Sequence, residues 1–270
     1  MSTDTRPADS VTIRLVALGL AGEAPQASRF SYTAPLATTK AHTIVLATDH
    51  AAGREVILKQ ARAHAAAGAH LRLAAEAAML RFLARRQIAA PRFIALFERD
   101  GRACLAMSRV DGHTLEALRQ RGLASPELVV RSLARLCGTL ARLHHCGYLH
   151  HDIKPANIIV QPDLSAVLID WGAATAIRPP SERGLVGGLT PGYASPEQLR
   201  GLALPSNDLY GVGATLAELI EWPGARLAQI IARAMGKAAP RYTRAADLAR
   251  DLAQLCLIDR VADIAGLHAI

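Results

Sequence analysis

Six residues in the middle of the chain, Asp152 to Asn157, carry most of its chemistry. The stretch His150-His151-Asp152-Ile153-Lys154-Pro155-Ala156-Asn157 places a carboxylate, an ammonium and a carboxamide within one short turn, and runs directly into the β-branched segment Ile158-Ile159-Val160. A second apolar run, Leu168-Ile169, ends in Asp170-Trp171-Gly172, so that a second acid lies thirteen residues past Asn157. Two short buried strands around a turn at Asp163 would bring Asp152, Lys154, Asn157 and Asp170 to one small volume. That set suits phosphoryl transfer from a magnesium nucleotide. A carboxylate orients the attacking hydroxyl, an ammonium offsets charge on the transferred group, and Asn and Asp provide the hard oxygen ligands that Mg²⁺ prefers. The plainer alternative is a polar loop between core strands, and the spacing of the two motifs weighs against it.

The elements around these motifs can be read outward from them. Thr43-Ile44-Val45-Leu46-Ala47 and Glu55-Val56-Ile57-Leu58-Lys59 read as strands separated by a turn from Asp49 to Gly53. A helical stretch from about Ala65 to Arg86 carries Leu73, Glu76, Leu80 and Leu83 on one face. Phe93 to Phe97, Asp100-Gly101 and Ala103 to Met107 form a hairpin signature with a D-G turn. Ser125-Pro126-Glu127 is a helix start, with the serine as cap and proline in the first position, and Val129, Leu133, Leu136, Leu140 and Leu143 keep to one face of the helix it begins. Asp208 to Gly213 opens an apolar helix running to about Glu221.

Taken together, these residues resemble the protein-kinase family, in its bacterial serine/threonine form. The catalytic loop of that family reads H-R-D-x-K-x-x-N and its metal loop D-F-G. The resemblance spans about residues 30–256. It implies an α+β fold of two lobes, a small mainly β lobe over residues 29–107 and a larger mainly α lobe over residues 108–265, with a cleft for ATP and Mg²⁺. Residues 1–28 would be a tail outside the lobes, expected to lack fixed structure apart from a possible extra strand at Val11 to Val16.

By the same resemblance Asp152, Lys154 and Asn157 are the catalytic set, and Asn157 and Asp170 the metal ligands. The nucleotide-binding set is Lys59, Glu76, Ile44, Ile57, Met107, Ser108, Val110, Ile159 and Asp170. Lys59 would hold the α- and β-phosphates, and Glu76 would keep it charged, since a buried lysine without a partner tends to lose its proton. Met107 would guard the adenine pocket, with backbone groups of Ser108 and Val110 bonding the base. Thr190, within Gly187 to Glu197, matches the threonine that bonds the catalytic Asp and Lys in serine/threonine kinases. Arg241 would pair with Glu197, and Asp208 would anchor the catalytic loop.

Several departures stand out. Where the family has the glycines of G-x-G-x-x-G, this chain has Ala37, Thr39 and His42. Ile57 replaces a small alanine, Trp171 replaces the phenylalanine of the metal loop, and His151 replaces an arginine that pairs with a phosphate on the activation segment. Arg241 follows Asp208 by only 33 residues, so one helix of the larger lobe is expected to be missing; either this exposes Leu219, Ile220 and Trp222 to a partner protein or a second copy of the chain, or the lobe closes compactly over the gap. The expected function is protein serine/threonine phosphorylation. A pseudokinase acting as a nucleotide- or partner-binding module is the alternative, and a small-molecule kinase a weaker third.

Composition bounds the rest. The chain has 270 residues and a net charge of +8, but few aromatics and no basic run, so nucleic acid is not an expected partner. Of its four lysines, Lys40, Lys59, Lys154 and Lys237, two fall where phosphoryl transfer needs them. The four cysteines lack paired spacing and no apolar run reaches membrane-spanning length, which suggests a reduced, cytoplasmic protein.

Overall fold

The computed structural model describes residues 27–39, 41–62, 68–182, 184, 189–238 and 240–267, with side chains to Cys256. The tail with its Val11 to Val16 segment, the first residues of the expected Ala65 to Arg86 helix, and Gly187-Gly188 lie outside the described residues. The chain divides into two compact units, the first ending at Val110 and the second beginning at Asp111.

The first unit is an antiparallel sheet with one helix. Its strands are β1 (Phe30–Thr38), β2 (His42–Asp49), β3 (Arg54–Ala61), β4 (Phe93–Arg99) and β5 (Arg102–Ser108), in the spatial order β1-β2-β3-β5-β4. The β2–β3 turn is held at Asp49, whose fully buried carboxylate accepts from Arg29 Nε and Nη2, both at 2.7 Å, and from the Ala51 amide. The β4–β5 turn uses Asp100 and Gly101, both at positive φ (53° and 70°), the geometry that a twisted two-residue hairpin needs. Strand β1 is visible only in the structure. It contains Pro35, carries two register irregularities and is largely exposed. A proline with no N–H is tolerated because β1 bonds on one side only.

Alternation then sorts the sheet. Phe30, Val45, Val56, Leu58, Phe97, Cys104 and Ala106 form one buried cluster, with the Phe30 and Phe97 rings stacked at 5.2 Å. Helix α1 (Gly68–Arg85) packs on β3, β4 and β5 through Leu73, Ala77, Leu80 and Leu83.

The second unit is mainly helical. Ser125 caps α3 (Pro126–His145), its hydroxyl accepting from Leu128 N at 3.2 Å; a cap of this kind contributes about 1 kcal/mol. Before it lie β6 (His113–Thr114) and α2 (Leu115–Gln120). After it come β7 (Tyr148–Leu149), the hairpin β8 (Ile158–Val160) and β9 (Ala166–Leu168), and β10 (Thr175–Ala176), with β6-β8-β9 forming one small sheet and β10-β7 another. The rest is α4 (Pro196–Leu199), α5 (Pro205–Leu219), α6 (Ala225–Ala234) and α7 (Ala245–Leu267).

The five-residue connection from Ile220 to Gly224 brings α6 directly against α5. A Cβ at Gly213 would lie 2.8 Å from that of Ala234, so the two helices meet at a position that only glycine permits. The expected apolar opening is therefore largely filled. Ile220 is 5% exposed, and Trp222, at 86%, is left as a single exposed indole. An isolated exposed ring is ordinary for a protein surface, and a contact site calls for a contiguous patch.

Candidate active site

In the first unit the candidate residues occupy neighbouring register positions. Ile44 pairs with Lys59, Lys59 with Leu105, and Ile57 with Met107. Directly paired residues, and residues two apart on one strand, point to the same side. Ile44, Ile57, Lys59 and Met107 therefore line one face of the sheet. Lys59 Nζ meets Glu76 Oε2 of α1 at 2.8 Å, with both side chains at or below 5% exposure. The N–H of Ser108 is committed to Arg92 O at 2.8 Å, and its hydroxyl accepts from Arg92 N at 2.9 Å. Val110 ends the unit.

The turn that stands where the family has its glycines is closed on itself. Thr39 N donates to His42 O at 2.8 Å, His42 N donates to Thr39 Oγ1 at 3.0 Å, and Arg62 Nη1 donates to Thr39 O at 3.1 Å. The Thr39 hydroxyl shapes the turn, accepting from His42 N and donating to His42 O at 3.1 Å.

In the second unit the catalytic loop hangs from Asp208 in α5. The Asp208 carboxylate accepts from His151 N at 2.8 Å, from His150 N at 3.0 Å and from His144 Nε2 at 2.9 Å. Burial alone would push this acid up, but the His144 hydrogen bond holds it down at about 2. The approach needs Gly211, one turn further along α5, where a Cβ would fall 2.9 Å from Ile153 O. His151 itself sits at φ 68°, and its carbonyl accepts from the buried amide of Gln198 at 2.7 Å.

Asp152 is the centre of the arrangement. One oxygen accepts from Lys154 Nζ at 2.7 Å and from Asn157 Nδ2 at 2.8 Å; the other accepts from Thr190 Oγ1 at 2.7 Å. Thr190 in turn accepts from Lys154 Nζ at 2.9 Å. Asn157 Nδ2 also reaches Asp152 O at 2.9 Å. With its amide nitrogen so engaged, Asn157 turns its carbonyl oxygen, the end a hard cation takes, away from Asp152. Asn157 O also accepts from Ile169 N at 3.0 Å, tying the metal loop to the catalytic loop.

Asp170 adopts left-handed backbone angles, φ 61° and ψ 69°, which cost a non-glycine residue roughly 1–2 kcal/mol. The surroundings hold it there. Trp171 is 1% exposed, and its ring meets that of His150 edge-on at 4.6 Å, an aromatic pairing of about 0.5–1.5 kcal/mol. The His150 ring bonds at both nitrogens: Nε2 lies 3.1 Å from Ile169 O, and Nδ1 accepts from Asp152 N at 3.3 Å. Those partners specify the neutral tautomer with the proton on Nε2. Burial lowers the pKa of both His150 and His151, which keeps them uncharged.

Ile159 lies in β8, opposite Thr114 and Val167. Arg241 meets Glu197 at 2.7 Å, and the guanidinium holds that acid below its usual range against the opposing effect of burial. Among the described residues no three His, Cys, Asp or Glu side chains form a self-contained metal cage. An Asn and an Asp suit an ion that takes its remaining ligands from phosphates and water.

Three participants escaped the sequence reading. His144 lies one turn past Leu140 on the buried face of α3, and that periodicity could have exposed it. Gln198 and Gly211 carry no comparable signal, because each matters only through a residue distant in sequence.

A two-unit α+β chain, with an anchored loop that gathers Asp, Lys, Asn and Thr around one carboxylate, has the build of a phosphotransferase. The comparisons with known proteins agree: the protein kinase domain family matches residues 40–230, and the chain belongs to that family. It is similar to the serine/threonine-protein kinase PknL of Mycobacterium tuberculosis, with 40% identity over 127 residues, covering 45% of this chain and 32% of PknL. A probable serine/threonine-protein kinase of Corynebacterium efficiens is 30% identical over 212 residues, 72% of this chain and 31% of that protein. The kinase pkn2 of Myxococcus xanthus is 32% identical over 196 residues, 68% of this chain and 23% of that protein. The chain thus spans about a third or less of the length of these relatives.

Proposed function

We propose that the protein is an ATP-dependent protein serine/threonine kinase, transferring the γ-phosphoryl group to a hydroxyl of a protein substrate. The observation that carries this reading is the Asp152 carboxylate, held by Lys154, Asn157 and Thr190 at 2.7–2.8 Å. In this role Asp152 orients the acceptor hydroxyl and accepts its hydrogen bond, while Lys154 sits beside the transferred group as a counter-charge. Thr190 fixes the distance between the two. Asn157 and Asp170 would hold Mg²⁺, which supplies charge neutralisation of the phosphates when bound. Lys59, kept charged by Glu76, would hold the α- and β-phosphates; Ile44, Ile57, Met107 and Ile159 would contact the base, and the backbone of Ser108 and Val110 would bond it.

The chain carries all six charged or polar groups of the expected set, with Lys59 paired to Glu76 and with Lys154 and Asn157 bonded to Asp152, and this supports an enzyme over a non-catalytic binding module. No described helix is long and apolar enough to cross a membrane, and the reaction is assigned to a cytoplasmic setting where ATP and Mg²⁺ are at hand. The test is incubation with γ-labelled ATP, Mg²⁺ and a generic acceptor protein beside the Asp152→Asn variant. Label on serine or threonine in the wild type, lost in the variant, is the expected result. Equal labelling of the two proteins would overturn the assignment.

A further inference from the structure

His144 commits one ring nitrogen and leaves the other over. Its Nε2 lies 2.9 Å from a carboxylate oxygen of Asp208, so in the neutral ring the proton sits on Nε2 and Nδ1 is an acceptor. The side chain is only 8% exposed, and Nδ1 is buried without a hydrogen-bond partner. Buried polar atoms in that state are unfavourable and uncommon in native interiors.

The same histidine borders a cleft of about 260 Å³, between the end of α3, the first residue of α5 and the start of α7. Ala141 and Pro205 are apolar parts of its wall, and Thr243, Arg244, Ala245 and Ala246 bring the beginning of α7 to it. Helix α7 is 23 residues long, and the residue before it, Arg244, has no side-chain acceptor with which to cap it. Among the described residues no backbone carbonyl accepts from the N–H of Ala245 or Ala246. Amides at such a helix start favour an anion, and the exposed Arg244 adds a cation at the same cleft. The acid of the first turn, Asp247, is drawn to Arg250 at 3.2 Å.

We propose that this cleft is a binding site for inorganic phosphate, held by the first amides of α7 and by Arg244, with the remaining proton of the ion donated to His144 Nδ1. The helix start and the guanidinium call for acceptor oxygens, while Nδ1 calls for a donor on the same ligand. Monohydrogen phosphate carries both. Sulfate has no O–H at neutral pH, and a phosphate monoester, with its second pKa at about 6, has mostly lost its own. The volume lies below the roughly 300–1,000 Å³ of sites for drug-sized ligands, which suits a small ion. Through His144 the ion would reach Asp208, whose carboxylate accepts from the amides of His150 and His151. The site stands on these contacts and does not depend on the kinase reading.

Calorimetric titration of the whole chain with sodium phosphate at pH 7.5, with sulfate and O-phosphoserine as parallel arms, tests this. Phosphate should bind once per chain, and the other two at least about tenfold more weakly. Ala246→Asp places an acid at an exposed position of the first turn, where it suits the helix and repels the ligand, so the fold is kept while binding is lost. Arg244→Ala should weaken binding about tenfold, the effect of one charge-assisted hydrogen bond. The readout requires no phosphoryl transfer, so it stands even if the protein proves inactive. No binding by the wild type, equal binding of sulfate, or undiminished binding in Ala246→Asp would overturn the site.

Discussion

The turn at Thr39 to His42 and the loop from His150 to Asn157 are both short polar connections, and they solve opposite problems. The first spends its groups on itself, Thr39 and His42 exchanging backbone and hydroxyl bonds across the turn. The second is bonded both within itself and to distant elements: the His150 and His151 amides go to Asp208, the His151 carbonyl to Gln198, and the side chains of Lys154, Asn157 and the distant Thr190 converge on Asp152. The contrast shows where this chain could depart from its family. A turn that closes on itself can change composition as long as some residue, here a threonine, completes it. A loop tied to Asp208, Gln198 and Thr190 tolerates less change, because losing one of those bonds leaves a buried group unpaired.

The largest effect should follow from removing the metal-loop acid. Asp170→Ala is expected to lower Mg²⁺-dependent transfer at least about 10³-fold, read as initial rates, since no neighbouring group can replace a metal-binding carboxylate. Activity within tenfold of wild type would place the metal elsewhere and break the contrast at its centre.

Next comes Glu76→Ala in the first unit. Breaking the buried Lys59–Glu76 pair should cost about 3–5 kcal/mol. Urea denaturation should show the loss, and a change below 1 kcal/mol would mean that Lys59 turns out to water.

The two connections can then be compared directly. Thr190→Ala removes the hydroxyl between Asp152 and Lys154 and should cut kcat/KM by about 10²-fold, with Thr190→Ser restoring most of it. Thr39→Ala removes only a turn-closing hydroxyl, and should cost about 1 kcal/mol of stability while KM for ATP moves less than about threefold. Equal kinetic effects from the two would show that the turn grips phosphate after all.

A smaller effect concerns acidity. His150 and His151 are held uncharged by burial, so their folded pKa values lie below that of the unfolded chain, near 6.5. The unfolded state then binds more protons as the medium acidifies. The stability they contribute is complete above about pH 6.5 and declines as pH falls through that value. Thermal melting between pH 7.5 and 5 should show the decline, with a shallower slope in His151→Gln. A Tm that rises on acidification would contradict the burial of both rings.

The least effect is expected at the segment hydroxyls. Burial keeps His151 uncharged, and hydrogen bonds from Thr190 and Gln198 tie the loop to the segment. Thr175→Ala with Ser181→Ala should keep activity within about twofold, measured on the folded double variant. A large loss would mean that a phosphate at one of these positions is required.

Much of the site was legible in the residues. The spacing from Asp152 to Asn157 and on to Asp170 foretold a loop, a hairpin and a second acid, because strand alternation and turn chemistry act over a few residues. The β2–β3 and β4–β5 hairpins, the Ser125 cap and the positions of Lys59 and Glu76 were legible for the same reason. Strand β1 was not, since an edge strand with a proline and bulges carries little periodic signal. The shortened connection after Leu219 left two outcomes open, an exposed apolar face or a lobe closed over the gap, and only packing decides between them: α6 lies against Gly213, Ile220 is buried and Trp222 is exposed.

The sequence by itself determined which groups this protein could use: an acid, a cation, a carboxamide and a second acid at fixed intervals along the chain. Only the tertiary structure decided what each is bonded to. Asp208 meets the loop because Gly211 lets α5 come close, Thr190 reaches Asp152 across 38 residues, and Trp171 finds Leu168 O and His150 together. Local rules cannot supply these pairings. A hydrogen bond depends on tenths of an ångström between atoms far apart in the chain, and packing alone sets those distances.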